Sequence, residues 1–154
     1  MDDIVQEALS KGVKMHVGGE FELAEQLYAS VITLKPNHAD ANHNMGLLKV
    51  DTDNDLDALP YLQTALEADT SITQFWLSYI KVLIRLNRMD EANRIFNLAK
   101  ENGADGEEFT ELQEQLNGPY NNSVDPKRTT RLQDPPQDQL QPLIDLYNLL
   151  QTES

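Results

Sequence analysis

FELAEQLYASV at residues 21–31, DLDALPYLQTA at residues 55–65 and MDEANRIFNLA at residues 89–99 share one pattern. Each stretch has alanine at its fourth position, a large apolar residue at its eighth and valine or alanine at its last. The interval from one stretch to the next is the same both times. Apolar residues spaced by three, four and seven positions are typical of one face of a helix. Return of the pattern at a fixed interval predicts stacked copies of one helical unit.

Turn-forming residues separate these apolar segments. Gly18 with Gly19, the acidic stretch 51–55, and Asn87 with Arg88 predict turns. Pro36 predicts the end of a helix, because proline cannot continue one. We therefore predict helices near residues 3–17, 21–34, 39–50, 55–68, 72–86 and 89–102.

Small residues recur inside the predicted helices. Ala24, Ala58 and Ala92 open the second helix of each pair, where a larger side chain would push crossing helices apart. Gly12 and Gly46 lie in first helices, where glycine is less favourable than alanine by about 1 kcal/mol. Glycine at such positions predicts the close approach of a neighbouring helix.

The frame around the three alanines resembles the tetratricopeptide repeat (TPR) family. The resemblance covers about residues 5–104, although Lys11, Asn42, Lys49 and Ile80 depart from the family pattern. It implies an all-α fold, a right-handed superhelical stack of antiparallel helix pairs, with Trp76 in the core rather than serving as a ligand platform. The implied domain spans residues 1–117, with repeats at about 5–38, 39–72 and 73–106 and a capping helix at 105–117. The matching positions are Ala8, Lys11, Gly12, Met15, Ala24, Tyr28, Val31 and Pro36; Asn42, Met45, Gly46, Lys49, Ala58, Leu62, Ala65 and Thr70; and Trp76, Tyr79, Ile80, Leu83, Ala92, Phe96, Ala99 and Ala104.

The resemblance also implies a concave groove, lined by the first helix of each pair, that binds a peptide or helical segment of a protein partner. We expect part of this groove to be an exposed apolar stripe, which usually marks a contact site. Lys81 and Arg85 are expected to meet acidic groups of the partner, and Asp40 with the groove amides to select polar groups. The matching groove positions are Leu9, Val13, His16, Asp40, His43, Asn44, Leu47, Gln74, Leu77, Lys81, Ile84 and Arg85, together with Gln6, Val17 and Val50; the stripe is Leu9, Val13, Leu47, Leu77 and Ile84.

Some family members hold the C-terminal carboxylate of a peptide with a clamp of lysine and asparagine side chains. The corresponding positions here are Leu9, Val13, Asn44 or its neighbour His43, Gln74 and Ser78. Because only an asparagine matches, we predict no carboxylate clamp. An amphipathic helix or an extended apolar segment is the expected ligand.

The C-terminal third changes in composition. The composition of residues 118–137 predicts a linker. The pattern of residues 138–151 predicts an amphipathic helix with one apolar face. Such a helix is unstable alone in water, so either it docks in the groove, in its own chain or in a second copy, or the groove stays open. Lys127, Arg128 and Arg131 are either solvated or paired with the acidic repeats.

Two further functions are also consistent with the sequence. Residues 134–151 are similar to the opening of repeat arrays that precede glycosyltransferase- or sulfotransferase-like domains in larger bacterial proteins. The chain would then be a non-catalytic N-terminal region. The other alternative is a scaffold that assembles through its own repeats.

Charge and composition exclude several classes of function. The 154-residue chain has a formal net charge of −14, which disfavours nucleic acid and anionic membranes and favours a basic or neutral peptide. Cysteine is absent, so no disulfide framework forms. Because the sequence shows neither a secretory signal nor a long apolar run, we expect a soluble, cytoplasmic protein.

No catalytic motif stands out, so we predict that the protein is not an enzyme and needs no cofactor or metal. Residues 51–55 are similar to the start of a calcium-binding loop. Leu56 and Leu62, however, occupy the positions that require glycine and glutamate. His16, His38 and His43 lack the spacing of zinc ligands.

Overall fold

The computed structural model describes residues 2–118. Over that range the chain forms seven α-helices and no strand. The six helices predicted from the repeat pattern begin and end within one residue of the predicted positions. Except for Gly118, the predicted linker and C-terminal helix lie outside the described residues. The helices are α1 (Asp2–Val17), α2 (Phe21–Leu34), α3 (Ala39–Asp51), α4 (Asp55–Ala68), α5 (Thr73–Arg85), α6 (Met89–Glu101) and α7 (Glu107–Leu116).

The chain divides into two compact units, residues 1–109 and 110–154. The first unit contains the three helical hairpins and the start of α7. There the ring of Phe109 stacks on that of Phe96, with centroids 4.2 Å apart. The described part of the second unit, residues 110–118, is the remainder of α7 and the turn after it. None of the helices in residues 2–118 is long and apolar enough to cross a membrane.

The turn inside each hairpin is the same structure three times. Gly19, Asp53 and Asn87 have φ values of 81°, 59° and 60°, in the left-handed region. The amide of the following residue donates to the carbonyl five residues earlier, at 2.8, 2.7 and 2.9 Å. This is the Schellman ending of a helix, which favours glycine or asparagine at the left-handed position. The interval that repeats in the sequence is therefore also a repeat of backbone conformation.

Close helix crossings explain the small residues. Ala24, Ala58 and Ala92 are fully buried. A Cβ atom added at Gly12 would lie 2.6 Å from Tyr28 Cε1, and one added at Gly46 would lie 2.5 Å from Leu62 Cδ2. The predicted close approach at both glycines is confirmed.

The N-terminal end of the stack is polar. Glu7, Lys11 and Lys14 are exposed, yet the residues at the same positions of the second and third repeats are buried and apolar. Polar side chains at these positions suit the outermost hairpin of the described stack, whose outer face is exposed in residues 2–118. The buried equivalents are Ala41, Met45 and Leu48 in the second hairpin and Phe75, Tyr79 and Val82 in the third.

Candidate functional site

The first helices of the three hairpins lie next to one another and are joined by polar bonds. His16 Nε2 on α1 lies 2.6 Å from Asp51 Oδ2 on α3. His43 Nε2 on α3 lies 2.7 Å from Ser78 Oγ on α5. Both bonds span 35 residues, one repeat plus one position. We call the surface formed by the exposed and half-buried residues at the predicted groove positions of α1, α3 and α5 the first-helix face.

The predicted apolar stripe is only partly exposed. Leu9 and Leu77 have exposed fractions of 7% and 4%, so the expectation that they face solvent is wrong. Leu9 belongs to a core cluster with Tyr28 and Met45, because α1 packs closely on α2 and α3. The other predicted residues lie as follows: His43 is buried; His16, Asn44, Leu47 and Ile84 are half-buried; and Val13, Asp40, Gln74, Lys81 and Arg85 are exposed.

An apolar row nevertheless remains on the first-helix face. Val13 and Val17 on α1 are 41% and 84% exposed. Leu47 and Val50 on α3 and Ile84 on α5 are half-buried. Val13 and Leu47 occupy the same repeat position, as do Val50 and Ile84, so the row continues from one hairpin to the next. It gives the face a hydrophobic surface that the packing of the hairpins covers only in part.

His16 connects this face to the core. Burial raises the pKa of Tyr28 to about 12, so its hydroxyl stays protonated. That hydroxyl lies 3.2 Å from His16 Nδ1, and the opposite ring nitrogen contacts Asp51. A carboxylate only accepts hydrogen bonds, so Nε2–H of His16 donates to Asp51 and Nδ1 accepts from Tyr28 when the ring is neutral. The contacts with Tyr28 and Asp51 orient the ring of His16.

His43 is a structural residue rather than a free contact residue. The centroid of its ring lies 4.7 Å from the centroid of the Phe75 ring. Burial lowers its pKa from 6.5 to about 4, so the ring is neutral at pH 7. The hydrogen bond to Ser78 has the geometry of a base and its nucleophile. Both residues are buried, however, and in residues 2–118 no carboxylate is hydrogen-bonded to the other ring nitrogen. The pair therefore joins α3 to α5 as a buried structural contact.

Protonation of His43 is expected to destabilise the fold as the pH falls. In the unfolded chain histidine takes up a proton near pH 6.5, whereas the folded chain resists protonation until about pH 4. Between these values the unfolded state binds more protons, so stability present above pH 6.5 is lost on acidification. We expect this residue to reduce the free energy of unfolding by about 2 kcal/mol between pH 7 and pH 5.

The measurement compares urea unfolding of the wild type and His43→Gln at both pH values. The glutamine variant retains a neutral polar group and removes the titration, so it should lose about 2 kcal/mol less than the wild type. Equal pH dependence in the two proteins would contradict the burial of an uncharged His43.

Lys81 and Arg85 already have partners within the chain. Lys81 Nζ lies 3.3 Å from Glu108 Oε2. Arg85 Nε lies 3.0 Å from Asp55 Oδ2, and its Nη2 lies 3.8 Å from Asp53 Oδ1. Both side chains are about half exposed, so these pairs add little stability. The carboxylates do neutralise the positive charges of Lys81 and Arg85, the two residues expected to meet acidic groups of a partner.

Two acidic residues beside the predicted groove positions, Asp51 and Glu108, are not in the predicted set, although Asp40 is. Asp51 stands one full repeat before Arg85, and Glu108 stands one full repeat after Gln74. Both are therefore at groove positions of the repeat frame. Extending the frame through the turn at residues 51–55 and into α7 would have identified them.

The comparisons with known proteins agree on the architecture. No protein-family model matches the chain, and no curated protein matches its sequence. The first TPR of Spaghetti (RPAP3), solved bound to the HSP90 peptide SRMEEVD, superposes with a TM-score of 0.69 at 15% identity, covering 76% of this chain and 93% of that one. The chain has the tetratricopeptide fold.

Two further TPR structures give the same result. The Yersinia enterocolitica type III secretion chaperone SycD, in complex with a peptide of the translocator YopD, has a TM-score of 0.64 at 18% identity and covers 75% of this chain and 88% of its own. The Sgt2 TPR domain from Aspergillus fumigatus has a TM-score of 0.68 at 13% identity, with coverage of 86% and 85%. At these identities the likeness establishes the TPR fold of this chain.

The residues at the predicted clamp positions differ in burial and carry no positive charge. Leu9 is buried, and Ser78 is buried against His43. Val13 offers no hydrogen bond. Asn44 and Gln74 are the remaining polar side chains at these positions, and neither carries a positive charge. Lysine and arginine, the usual anchors for a carboxylate, are absent from these positions.

Proposed function

We propose that this TPR domain is a non-catalytic scaffold that binds a peptide or helical segment of a protein partner along the first-helix face. The observation that supports the proposal is the apolar row of Val13, Val17, Leu47, Val50 and Ile84. It stays accessible although the surrounding helices are packed. Apolar rows at helical spacing are the surfaces that amphipathic segments cover.

The structural neighbours support a peptide ligand. Both the Spaghetti domain and SycD were solved with a peptide. A scaffold of stacked hairpins presents the first helices as a preorganised surface, so binding requires little ordering of the domain itself. We infer that the first-helix face of this chain binds a peptide, and that its own side chains determine which peptide binds.

End-to-end assembly of the repeats has less support. The exposed charges of Glu7, Lys11 and Lys14 would be buried if another repeat stacked on the N-terminal hairpin. Burying such charges without partners is unfavourable. The predicted occupancy of the groove by residues 138–151, and a role as the N-terminal region of a transferase, remain predictions about residues beyond the described part.

Replacing Leu47 by glutamate should abolish binding on the first-helix face. Leu47 is half-buried at the centre of the apolar row, so a carboxylate there removes apolar contact and faces the ligand with an unpaired charge. We expect affinity to fall at least about 30-fold, because a central residue of an interface contributes about 2 kcal/mol or more. The measurement is titration of peptides selected from a random phage-displayed library against the wild-type chain.

Leu56→Glu is the matched control. Leu56 is on α4, 60% exposed, and outside the first-helix face, so the same change of residue should leave affinity unchanged. Circular dichroism of both variants tests whether they keep their helical content. Selected peptides that bind Leu47→Glu as tightly as the wild type would refute the proposed site.

A further inference from the structure

We propose that the segment bound on the first-helix face is basic and amphipathic. Its apolar side chains would cover Val13, Leu47 and Ile84, and its lysine or arginine side chains would meet the carboxylates beside them. This inference rests on the proposed function and specifies the chemistry of the partner.

The positive charges of the face are already used within the chain. Lys81 is paired with Glu108, and Arg85 with Asp55. His43 is buried with its pKa lowered to about 4, so it adds no positive charge at pH 7. An acidic ligand would have to displace an existing carboxylate from Lys81 or Arg85 before pairing with it. Both cations of the face therefore already lie beside a carboxylate of the chain, which reduces their attraction for an acidic segment.

The negative charges of the face are not used to the same extent. In residues 2–118, Asp40 and Asp51 form no ion pair with a lysine or arginine. Asp53 forms a long one of 3.8 Å, and its side chain is 95% exposed. Asp51 accepts a hydrogen bond from His16 but keeps a side chain that is 54% exposed. These three carboxylates are therefore available to lysine or arginine side chains of a ligand.

The arrangement of charged and apolar groups defines the ligand. Asp40 lies near the start of α3, Asp51 is its last residue, and Asp53 lies in the turn that follows. Leu47 and Val50 lie between them on the same helix. A segment laid over α3 therefore crosses an apolar centre flanked by negative charge. The complementary ligand has an apolar stripe with basic residues on both sides of it.

The charge of the whole chain acts in the same direction. Its net charge of −14 attracts cationic segments and repels acidic ones over several ångströms. The peptide in the Spaghetti complex, SRMEEVD, ends in an acidic sequence. By contrast, the first-helix face of this chain combines the exposed carboxylates of Asp40, Asp51 and Asp53 with no lysine or arginine at the clamp positions. Its charge pattern therefore favours a partner segment whose charge is positive, opposite to that of the acidic end of that peptide.

Two synthetic peptides of equal length test the inference. Both carry leucine at positions i, i+3, i+7 and i+10; one has lysine and arginine on the flanks of this stripe, and the other has glutamate at the same places. Fluorescence anisotropy with the full chain measures both affinities at about 50 mM and about 300 mM NaCl, which differ in how strongly they screen charge. We expect the basic peptide to bind at least about 10-fold more tightly at low salt, and the ratio to shrink at high salt.

Paired variants show whether the effect belongs to the face. Asp40→Asn with Asp53→Asn removes two of its charges, and asparagine tolerates the left-handed backbone at position 53 as Asn87 does in the next repeat. We expect this pair to weaken the basic peptide about 3- to 20-fold. The control, Glu22→Gln with Asp90→Asn, changes the net charge equally on the exposed surfaces of α2 and α6. The control should weaken binding less than 2-fold.

Distinct outcomes separate this inference from the proposed function. If the acidic peptide binds as tightly as the basic one and both are lost in Leu47→Glu, the face binds segments but the basic preference is wrong. Equal losses from the two charge pairs would also overturn the preference, because the attraction would then come from net charge alone. If binding of either peptide and of the selected library peptides is insensitive to Leu47→Glu, the proposed function itself fails.

One outcome concerns the chain's own basic residues. Replacing Lys127, Arg128 and Arg131 together by glutamine removes the only lysine and arginine side chains after Lys100. Unchanged affinity for the basic peptide supports a separate partner. An increase of 10-fold or more would show that this segment competes for the face, and would overturn the assignment to a separate partner.

Discussion

Replacing Trp76 by alanine is expected to lower the free energy of unfolding by about 3–5 kcal/mol. Trp76 is the chain's single tryptophan, and its side chain is 1% exposed. Its Nε1–H donates a hydrogen bond to the carbonyl oxygen of Thr70 at 2.8 Å, which ties the start of α5 to the turn before it. Alanine at this position leaves a cavity and an unpaired carbonyl. Urea unfolding followed by circular dichroism measures the change, since the variant has no tryptophan fluorescence.

Trp76→Phe separates the two contributions. Phenylalanine fills most of the same volume but cannot donate the hydrogen bond, so we expect a smaller loss of about 1–2 kcal/mol. The burial of Trp76 confirms its assignment to the core. An alanine variant within about 1 kcal/mol of the wild type, the usual effect of an ordinary substitution, would instead show that the indole contributes little to packing.

Helix positions could be predicted because their signals are local. The left-handed residue of each hairpin turn must be one that tolerates a positive φ, and glycine, aspartate and asparagine occupy it as Gly19, Asp53 and Asn87. Together with the apolar periodicity, these residues determine where each helix ends. The repeat interval then positions every later helix relative to the first.

Exposure on the first-helix face could not be predicted in the same way. Leu9 and Val13 are one turn apart on α1, yet one is 7% exposed and the other 41%. The difference depends on how closely α1 approaches α3, which is set by contacts between residues distant in sequence. The same holds for His43, whose partner Ser78 is 35 residues away. A repeat frame identifies the positions that face a neighbouring hairpin but not the distance to it.

The sequence pattern also could not predict which charged residues pair with each other. Lys81 and Arg85 match groove positions, so a family-based interpretation makes them contacts for a ligand. Their actual partners lie 27 and 30 residues away, on elements that belong to adjacent hairpins or to α7. Net charge already favours a basic or neutral peptide. The structure adds that Lys81 and Arg85 face carboxylates of the chain, whereas the side chains of Asp51 and Asp53 stay 54% and 95% exposed.

Adding one methyl group at Gly46 is expected to destabilise the chain in the presence of Leu62 and to stabilise it in its absence. A Cβ atom at position 46 would lie 2.5 Å from Leu62 Cδ2 and 2.6 Å from Leu62 Cγ. Such overlap forces side chains or helices to move, at about 1–3 kcal/mol. Gly46→Ala alone should therefore lower the free energy of unfolding by this amount, even though alanine is the better helix former.

Leu62→Ala removes both of the overlapping atoms. That change alone should cost about 2–5 kcal/mol through the lost packing of a fully buried leucine. The next atom from the added Cβ is then the Ala58 carbonyl oxygen at 3.5 Å, an ordinary contact. In this background Gly46→Ala should raise stability by about 1 kcal/mol, the difference in helix propensity between the two residues.

Gly46→Ala is expected to lower the stability of the wild type and to raise that of the Leu62→Ala variant. A double-mutant cycle measures the difference between these two changes in the free energy of unfolding. Their difference gives a coupling of about 2–4 kcal/mol between positions 46 and 62. Urea unfolding of the wild type, the two single variants and the double variant provides all four values. If Gly46→Ala changes stability equally in both backgrounds, the glycine is present for reasons other than the crossing of α3 and α4. The fixed spacing of small and large residues would then no longer explain why successive hairpins pack as they do.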